Sequence, residues 1–295
     1  MLLGVPNFSE GCDSALIGRI TAQFTAGATL LDSHSDPGHN RTVLTLAESP
    51  RAVGESLARG AGACAISIDM RRHEGAHPAV GALDVCPVVY ATAAEHDAAR
   101  STALTAADAI AGEGIPVFLY GELAISEERR ERAYFRRGGL PMLSERMAAG
   151  ELGPDLGPDA PHPTAGATLV TARPPLAAFN VVLEGADFAA AGEIATRLRE
   201  SGGGLPGVRA IAIDLGDRGI QVSTNVHDPV GVPLAHVIER ITHLGEPTGA
   251  RPASAEIVGL VPEPALAGFP EDLPVPGFDR ERHVIERALD PLRDR

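Results

Sequence analysis

The sequence predicts an α/β (α+β) fold of two ferredoxin-like subdomains, each a mixed sheet with helices packed on it. Short apolar runs rich in β-branched residues alternate with alanine-rich segments of helical period along the chain. A tract dense in proline and glycine, residues 150–166, interrupts this alternation. Because such a tract continues neither helix nor strand, we expect it to connect two subdomains, residues 1–162 and 163–295.

The first half predicts the order β-α-β-β-α-β-α-β. Asp13 can cap the first helix, and Pro50 stands at an early helical position where its missing N–H is tolerated. The predicted strands are Leu2–Pro6, Thr29–Asp32, Thr42–Ala47, Leu83–Val89 and Val117–Tyr120, and the predicted helices are Asp13–Thr25, Pro50–Cys64 and Ala93–Gly112.

The second half predicts a β-α-β-β-α-β order, which is that of a ferredoxin-like unit with helices on one face of a sheet. The apolar spacing in Phe278–Leu292 is typical of a helix that docks on this subdomain. The predicted strands are Ala167–Thr171, Phe179–Leu183, Arg209–Leu215, Ile220–Asn225 and Glu256–Val261, and the predicted helices are Asp187–Glu200 and Pro233–Leu244.

The charged residues exclude several classes of protein. The chain has no lysine, so all 25 cationic residues are arginines, which excludes Schiff-base enzymes and standard P-loop ATPases. A net charge of −14 without a basic stripe argues against nucleic acid as a partner, and the arginine-rich stretch 129–132 is interpreted as a solvated helix face.

The apolar residues indicate a cytoplasmic protein. No apolar run approaches the roughly 20 residues of a membrane helix, and the N-terminus lacks the features of a signal peptide. The three cysteines are widely spaced and suit reduced core thiols rather than disulfides. We therefore expect no membrane partner.

Two histidines in the segment 68–87 are candidates for chemistry. His73 and His77 are four residues apart, but Gly75 and Pro78 argue against a helix that would present both to a metal ion. A histidine on a loop between strands suits proton transfer, since its usual pKa of about 6.5 lies near working pH. This segment alone favours the simpler interpretation, a histidine that merely hydrogen-bonds in a turn.

The loop 31–42 offers imidazoles, carboxylates and a guanidinium. Arg41 could bind a carboxylate with two hydrogen bonds, while Asp32 or Asp36 faced a cationic group of a substrate. Turn chemistry at Asp36-Pro37-Gly38 explains part of this composition without any function.

Taken together, ten segments resemble the glutamate formiminotransferase family and follow its order over nearly the whole chain. They are residues 5–11, 39–43, 68–78, 81–87, 117–122, 154–158, 166–168, 178–180, 221–223 and 257–262.

The resemblance implies folate held in a groove between two α/β subdomains. It also implies transfer of a formimino group from N-formimino-L-glutamate to N5 of tetrahydrofolate as co-substrate. His77 would be the general acid and base, with Asp32 and His34 as further catalytic candidates, and no metal ion. The resemblance also implies a homodimer, and we expect the cyclodeaminase that is fused to some members to be absent from this protein. The implied substrate and folate ligands are Asn7, Asp36, His39, Asn40, Arg41, His73, Gly81, Asp84, Tyr120, Glu122, Arg173 and Asn180, of which Arg41 and Arg173 are candidates for substrate carboxylates.

The sequence departs from the family pattern at three places. Ala76 replaces a glutamate before the histidine, His34 stands where many members have an acid, and Pro174-Pro175 replaces Lys-Phe. Two alternatives therefore stay open. One is a folate-binding paralogue with another amidine donor or no catalysis. The other is a metal-dependent formiminoglutamate hydrolase that uses the histidines at 34, 39, 73 and 77.

Overall fold

The computed structural model describes residues 1–293, and the side chains of residues 1–292. The chain divides into two compact units, unit 1 (Met1–Pro174) and unit 2 (Pro175–Arg295). Residues 294 and 295, which end the predicted second subdomain, lie outside the described residues. Each unit contains one sheet with helices packed on it, which confirms the predicted α/β class with two subdomains.

Unit 1 has a seven-stranded mixed sheet in the order β1-β4-β2-β5-β7-β6, with β3 paired to β4. Strands β5, β7 and β6 are parallel, and the other pairs are antiparallel. Its elements are β1 (Leu2–Gly4), β2 (Asn7–Phe8), α1 (Ser14–Phe24), β3 (Thr29–Asp36), β4 (Arg41–Glu48), α2 (Pro50–Ser67), β5 (Leu83–Val89), α3 (His96–Gly112), β6 (Val117–Leu119), α4 (Arg132–Arg136), α5 (Gly139–Ala148) and β7 (Thr168–Arg173).

Local signals set several of these boundaries. The Asp13 carboxylate accepts hydrogen bonds from the amides of Ala15 and Leu16, both at 2.9 Å, which confirms the predicted cap of α1. The predicted strand Leu2–Pro6 ends at Gly4, because Pro6 has no N–H to donate, and β2 begins just after it.

Helices cover both faces of this sheet. Helices α1, α2 and α3 bury one face, where Phe24 and Leu57 are fully buried in the main core. Helices α4 and α5 cover part of the other face, since Phe118 points opposite to its strand neighbours and packs with Phe135 and Leu143. The sequence did not predict α4 or α5. Helix α4 is hard to recognise in the sequence because it has only five residues, two of them arginines.

The proline- and glycine-rich tract packs on unit 1. The Asp155 carboxylate accepts a hydrogen bond from the Leu119 amide at 2.7 Å, and the Val117 amide donates to the Leu156 carbonyl at 2.9 Å. Strand β7 then pairs in parallel with β5 and β6. Unit 1 therefore extends to Pro174, beyond the predicted boundary after residue 162.

Unit 2 has a four-stranded sheet in the order β11-β8-β10-β9, which confirms the predicted ferredoxin-like arrangement. All three strand pairs are antiparallel, so this sheet is not mixed as predicted. The apolar faces of α6 and α7 pack on it around Phe179. Its elements are β8 (Ala177–Glu184), α6 (Phe188–Leu198), β9 (Val208–Asp214), β10 (Ile220–Val226), α7 (Leu234–Gly245), β11 (Arg251–Val258), α8 (Arg280–His283) and α9 (Ile285–Arg293).

The C-terminal segment docks on unit 2, as predicted. Val284 is fully buried in the core of this unit. The Val261 amide donates to the His283 carbonyl, and the Ile285 amide donates to the Val261 carbonyl, both at 2.9 Å. In the part of the chain that is described, no helix combines the length and apolar character needed to cross a membrane.

Candidate functional site

His77 lies half-buried on the loop between α2 and β5. Its Nδ1 atom is 2.9 Å from the Pro78 carbonyl oxygen and 3.2 Å from Nη1 of Arg41. Burial lowers its pKa well below the usual 6.5, and the positive charges of Arg41 and Arg136 lower the pKa further. The imidazole is therefore neutral at physiological pH.

A buried carboxylate organises the arginines beside His77. Asp84 on β5 is completely buried and accepts hydrogen bonds from the Val80 amide at 2.9 Å, from Nη1 of Arg41 at 2.7 Å and from Nη2 of Arg136. Burial would raise the pKa of Asp84, but the two guanidiniums outweigh burial and lower it. The Nε and Nη2 atoms of Arg41 donate to Oδ1 of Asn7 at 3.1 and 2.9 Å.

The site carries an excess of positive charge. Arg132 lies one helical turn before Arg136 on α4, and burial lowers its pKa. Burial also lowers the pKa of Arg173 to about 10, and the positive charge of Arg132 contributes to this shift. Within residues 1–293, no carboxylate forms an ion pair with Arg132 or Arg173. Such a cluster suits an anionic ligand.

The turn after β3 brings three further predicted residues beside the His77 loop. The Asp36 carboxylate is buried and accepts a hydrogen bond from the His39 amide at 2.7 Å. The ring of His39 lies edge-on to that of His77, with 6.0 Å between centroids. Nδ2 of Asn40 lies 3.4 Å from Nδ1 of His73, whose pKa is lowered chiefly by burial.

A polar pocket of about 280 Å³ adjoins this turn. It is lined by Ser9, Glu10, Asn40, Ser67, Ile68, Asp69, Arg72 and His73.

The two remaining catalytic candidates lie along β3. Asp32, His34 and Asp36 pair with Thr45, Val43 and Arg41, so all three side chains share the sheet face of Arg41. At the usual strand rise, His34 lies about 7 Å and Asp32 about 13 Å along the strand from Asp36. Val43 also pairs with Asn7 on β2, so His34 lies in the same lateral row of the sheet as Asn7, whereas Asp32 lies two residues further along β3.

Gly81 contributes to packing. The carbonyl of Gly81 accepts the Ser9 hydroxyl at 2.7 Å, and a Cβ atom at Gly81 would lie 1.9 Å from the Ala167 carbonyl oxygen. Only glycine can therefore occupy this position without moving the backbone.

Two other predicted ligands have their own partners. Glu122 accepts the Tyr90 hydroxyl at 2.7 Å and lies 3.3 Å from Nε2 of His96. Asn180, in unit 2, donates to Glu256 at 2.9 Å. The structure does not bring Glu122 into contact with the His77 cluster.

Arg132 and Arg136 were not predicted from the sequence as site residues, and the solvated face predicted at 129–132 was wrong for Arg129. Arg129 is buried, pairs with Asp155 at 2.6 Å, and lies over the rings of Phe118 and Phe135 at 5.7 and 5.6 Å. This contact holds the start of α4 against the sheet, so that Arg136 reaches Asp84. The aromatic pair Tyr134-Phe135 among the arginines was the available signal of burial.

Within the described part of the chain, no three histidine, cysteine, aspartate or glutamate side chains are close enough to share a metal ion. The groups around His77 are instead imidazoles, guanidiniums and one paired carboxylate. These groups can bind anions and move protons.

Comparison with known proteins shows the family. Residues 1–173 match the formiminotransferase domain, N-terminal subdomain. The chain is 37% identical over 290 residues to a glutamate formimidoyltransferase of Streptococcus pyogenes, with 97% of each chain covered. It is 35% identical over 294 residues to a glutamate formimidoyltransferase of Thermoplasma acidophilum, covering 97% of this chain and 96% of that protein.

A longer relative matches over part of its length. The chain is 38% identical over 273 residues to the formimidoyltransferase-cyclodeaminase of Gallus gallus, covering 89% of this chain and 50% of that protein. A family match over more than half of the chain, together with relatives that align over almost all of it, shows that this protein belongs to the formiminotransferase family of transferases.

Proposed function

We propose that the protein transfers the formimino group of N-formimino-L-glutamate to N5 of tetrahydrofolate, with His77 as the general acid and base. The observation that carries the proposal is a neutral imidazole held on a loop beside a cluster of arginines. The printed names of the bacterial and archaeal relatives support the donor, since both are glutamate formimidoyltransferases.

The hydrogen bonds of His77 favour one tautomer. A carbonyl oxygen can only accept, so the 2.9 Å contact with Pro78 needs a proton on Nδ1. Nη1 of Arg41 is already used by Asp84 at the shorter distance of 2.7 Å. With Nδ1 protonated, the lone pair is on Nε2, which no side chain of the described residues hydrogen-bonds. Nε2 is therefore the basic atom.

The reaction needs one proton to move between two nitrogens. N5 of tetrahydrofolate bonds to the amidine carbon and gives its proton to Nε2 of His77. The tetrahedral intermediate then collapses, the bond from carbon to the glutamate nitrogen breaks, and Nε2 returns the proton to that nitrogen. The positive charges of Arg41 and Arg136 make the imidazolium a stronger acid than an ordinary histidine, which favours the second transfer.

We assign the donor carboxylates to Arg132 and Arg173. The guanidinium of Arg41, also a candidate from the sequence, already donates to Asp84 and Asn7. N-formimino-L-glutamate carries two carboxylates, which match two guanidiniums that repel each other electrostatically and have no ion pair within residues 1–293. The bound dianion would offset the positive field at His77 and raise its pKa towards neutrality, so that the base becomes stronger when the donor is present.

Asp32 and His34 receive no step in this mechanism. Asp32 pairs with Thr45 and His34 with Val43 on β4, and the proton transfer through Nε2 of His77 requires neither side chain. The catalytic role of Asp32 and His34 stays a prediction, which substitution of each residue can test.

A spectrophotometric transfer assay on the purified protein tests the proposal. The wild type should convert tetrahydrofolate and N-formimino-L-glutamate to 5-formimino-tetrahydrofolate, and His77→Gln should not. His96→Gln is the matched control, because His96 lies outside the cluster, beside Tyr90 and Glu122. Tetrahydrofolate binding without product would support the non-catalytic alternative. Folate-independent release of glutamate that stops with a chelator would support the hydrolase.

A further inference from the structure

Asn40 has an unusual backbone conformation for a residue beside the site. Within residues 1–293 it is the one non-glycine residue with a positive φ, at 47°. Asparagine tolerates this left-handed region better than most residues, but a glycine would meet no steric cost there. Asparagine at this position therefore keeps the turn and adds a side-chain amide, whose contacts decide what it does.

The side-chain amide of Asn40 binds protein atoms at both ends. Oδ1 accepts a hydrogen bond from the Gly11 amide at 2.9 Å. Nδ2 donates to the Glu74 carbonyl at 2.8 Å, and it lies 3.4 Å from Nδ1 of His73. One side chain thus joins three loops, namely residues 9–12, 37–40 and 73–78.

The loop 73–78 carries His77 and has few other anchors. It contains no helix or strand, and residues 74–76 are exposed. The Ala76 amide donates to the Gly38 carbonyl at 3.1 Å. Gly75 lies so close to the turn that a Cβ atom there would be 2.5 Å from the His39 carbonyl oxygen. Each of these contacts is made to the turn 37–40, so this turn sets the position of the loop.

We propose that Asn40 is a positioning residue for His77 rather than a ligand of the substrate. Its amide fixes the loop 73–78 on the turn that leads into Arg41, and so fixes the imidazole against the guanidinium. The inference rests on the proposed function of His77, because position matters for rate only if the ring takes part in the reaction. Displacement of a reacting group by about 1 Å can slow an enzyme roughly 100-fold.

Two substitutions distinguish the contribution of the Asn40 side-chain amide from that of its backbone conformation. Asn40→Gly keeps the left-handed conformation and removes all side-chain hydrogen bonds. Asn40→Asp keeps the acceptor for the Gly11 amide but places a carboxylate against the Glu74 carbonyl. For Asn40→Gly we expect a kcat lowered roughly 10- to 100-fold, with the KM of both substrates within about threefold of wild type. Asn40→Asp should lower kcat as well.

Limited trypsin digestion measures how firmly the loop 73–78 is held, independently of enzyme activity. Arg71 and Arg72 precede the loop, and both are exposed, so release of the loop should speed cleavage there in the native Asn40→Gly protein. Digestion of wild type and of His77→Gln gives the reference rates.

The kinetic and digestion measurements can each contradict a different part of the proposal. Wild-type kcat and wild-type cleavage in Asn40→Gly would overturn the positioning role. A raised KM with unchanged kcat would make Asn40 a substrate ligand instead. Full transfer by His77→Gln would overturn the proposed function, whereas faster cleavage in Asn40→Gly would still support its hold on the loop.

Discussion

Replacing Asp84 by asparagine removes the carboxylate that pairs with Arg41 and Arg136. Asparagine has the same shape, and its Oδ1 can still accept the Val80 amide hydrogen bond, which is 2.9 Å long in the wild type. The substitution therefore isolates the charge. Loss of one partner from a buried ion pair costs about 3–5 kcal/mol, because the remaining charge stays buried without compensation.

The expected loss of stability is measurable in unit 1 alone. The protein has no tryptophan, and all three tyrosines, Tyr90, Tyr120 and Tyr134, lie in unit 1, so tyrosine fluorescence in urea reports this unit. A loss of about 3–5 kcal/mol corresponds to a melting temperature lower by roughly 6–20 °C for a unit of this size.

Asp69→Asn is the matched control. Asp69 pairs with Arg71 at 2.6 Å at a more exposed position, and an exposed ion pair contributes little to stability because solvent screens it. If Asp84→Asn lost no more stability than this control, the claim that Asp84 compensates two buried guanidiniums would be wrong.

Three further predictions concern the arginines, the imidazole and the thiols. Arg132→Met should raise the KM for N-formimino-L-glutamate roughly 10- to 100-fold with little change in kcat, since a charge-assisted hydrogen bond contributes about 1.5–3 kcal/mol. Arg130→Met is the exposed control. If the two variants had the same KM, Arg132 would not bind the donor. The lowered pKa of His77 means that the unfolded chain binds the extra proton as pH falls from 6.5 towards the folded pKa. The free energy of unfolding in urea should therefore fall more steeply below pH 6.5 in wild type than in His77→Gln, and parallel curves would contradict this. A chromogenic thiol reagent should modify only Cys12 in the native protein, because the other two cysteines are buried; rapid reaction of a second thiol would contradict that burial.

The order of elements was predictable because its signals are local. Asp13 caps α1 through neighbouring amides, and Pro50 opens α2 at the first turn. The sheet that a strand joins is a tertiary property. Strand β7 pairs with β5 and β6 although a long irregular tract separates it from them, so the sequence placed it in the second subdomain.

The site was predictable where chemistry-bearing residues cluster in the sequence. His77, Arg41 and Asp84 come from such segments, and the structure brings them together. Arg132 and Arg136 lie about fifty residues further on, in a stretch whose alternating charges resemble a solvated helix. Their burial depends on the contact of Arg129 with two aromatic rings and Asp155, which periodicity does not show.

The central claim is that the imidazole of His77 moves the proton between two nitrogens, and chemical rescue tests it most directly. In the transfer assay, His77→Ala should lose roughly 10²- to 10⁴-fold in kcat while its affinity for tetrahydrofolate stays within about twofold. Added imidazole should restore turnover in proportion to its concentration. Wild-type turnover by His77→Ala without imidazole would contradict the claim.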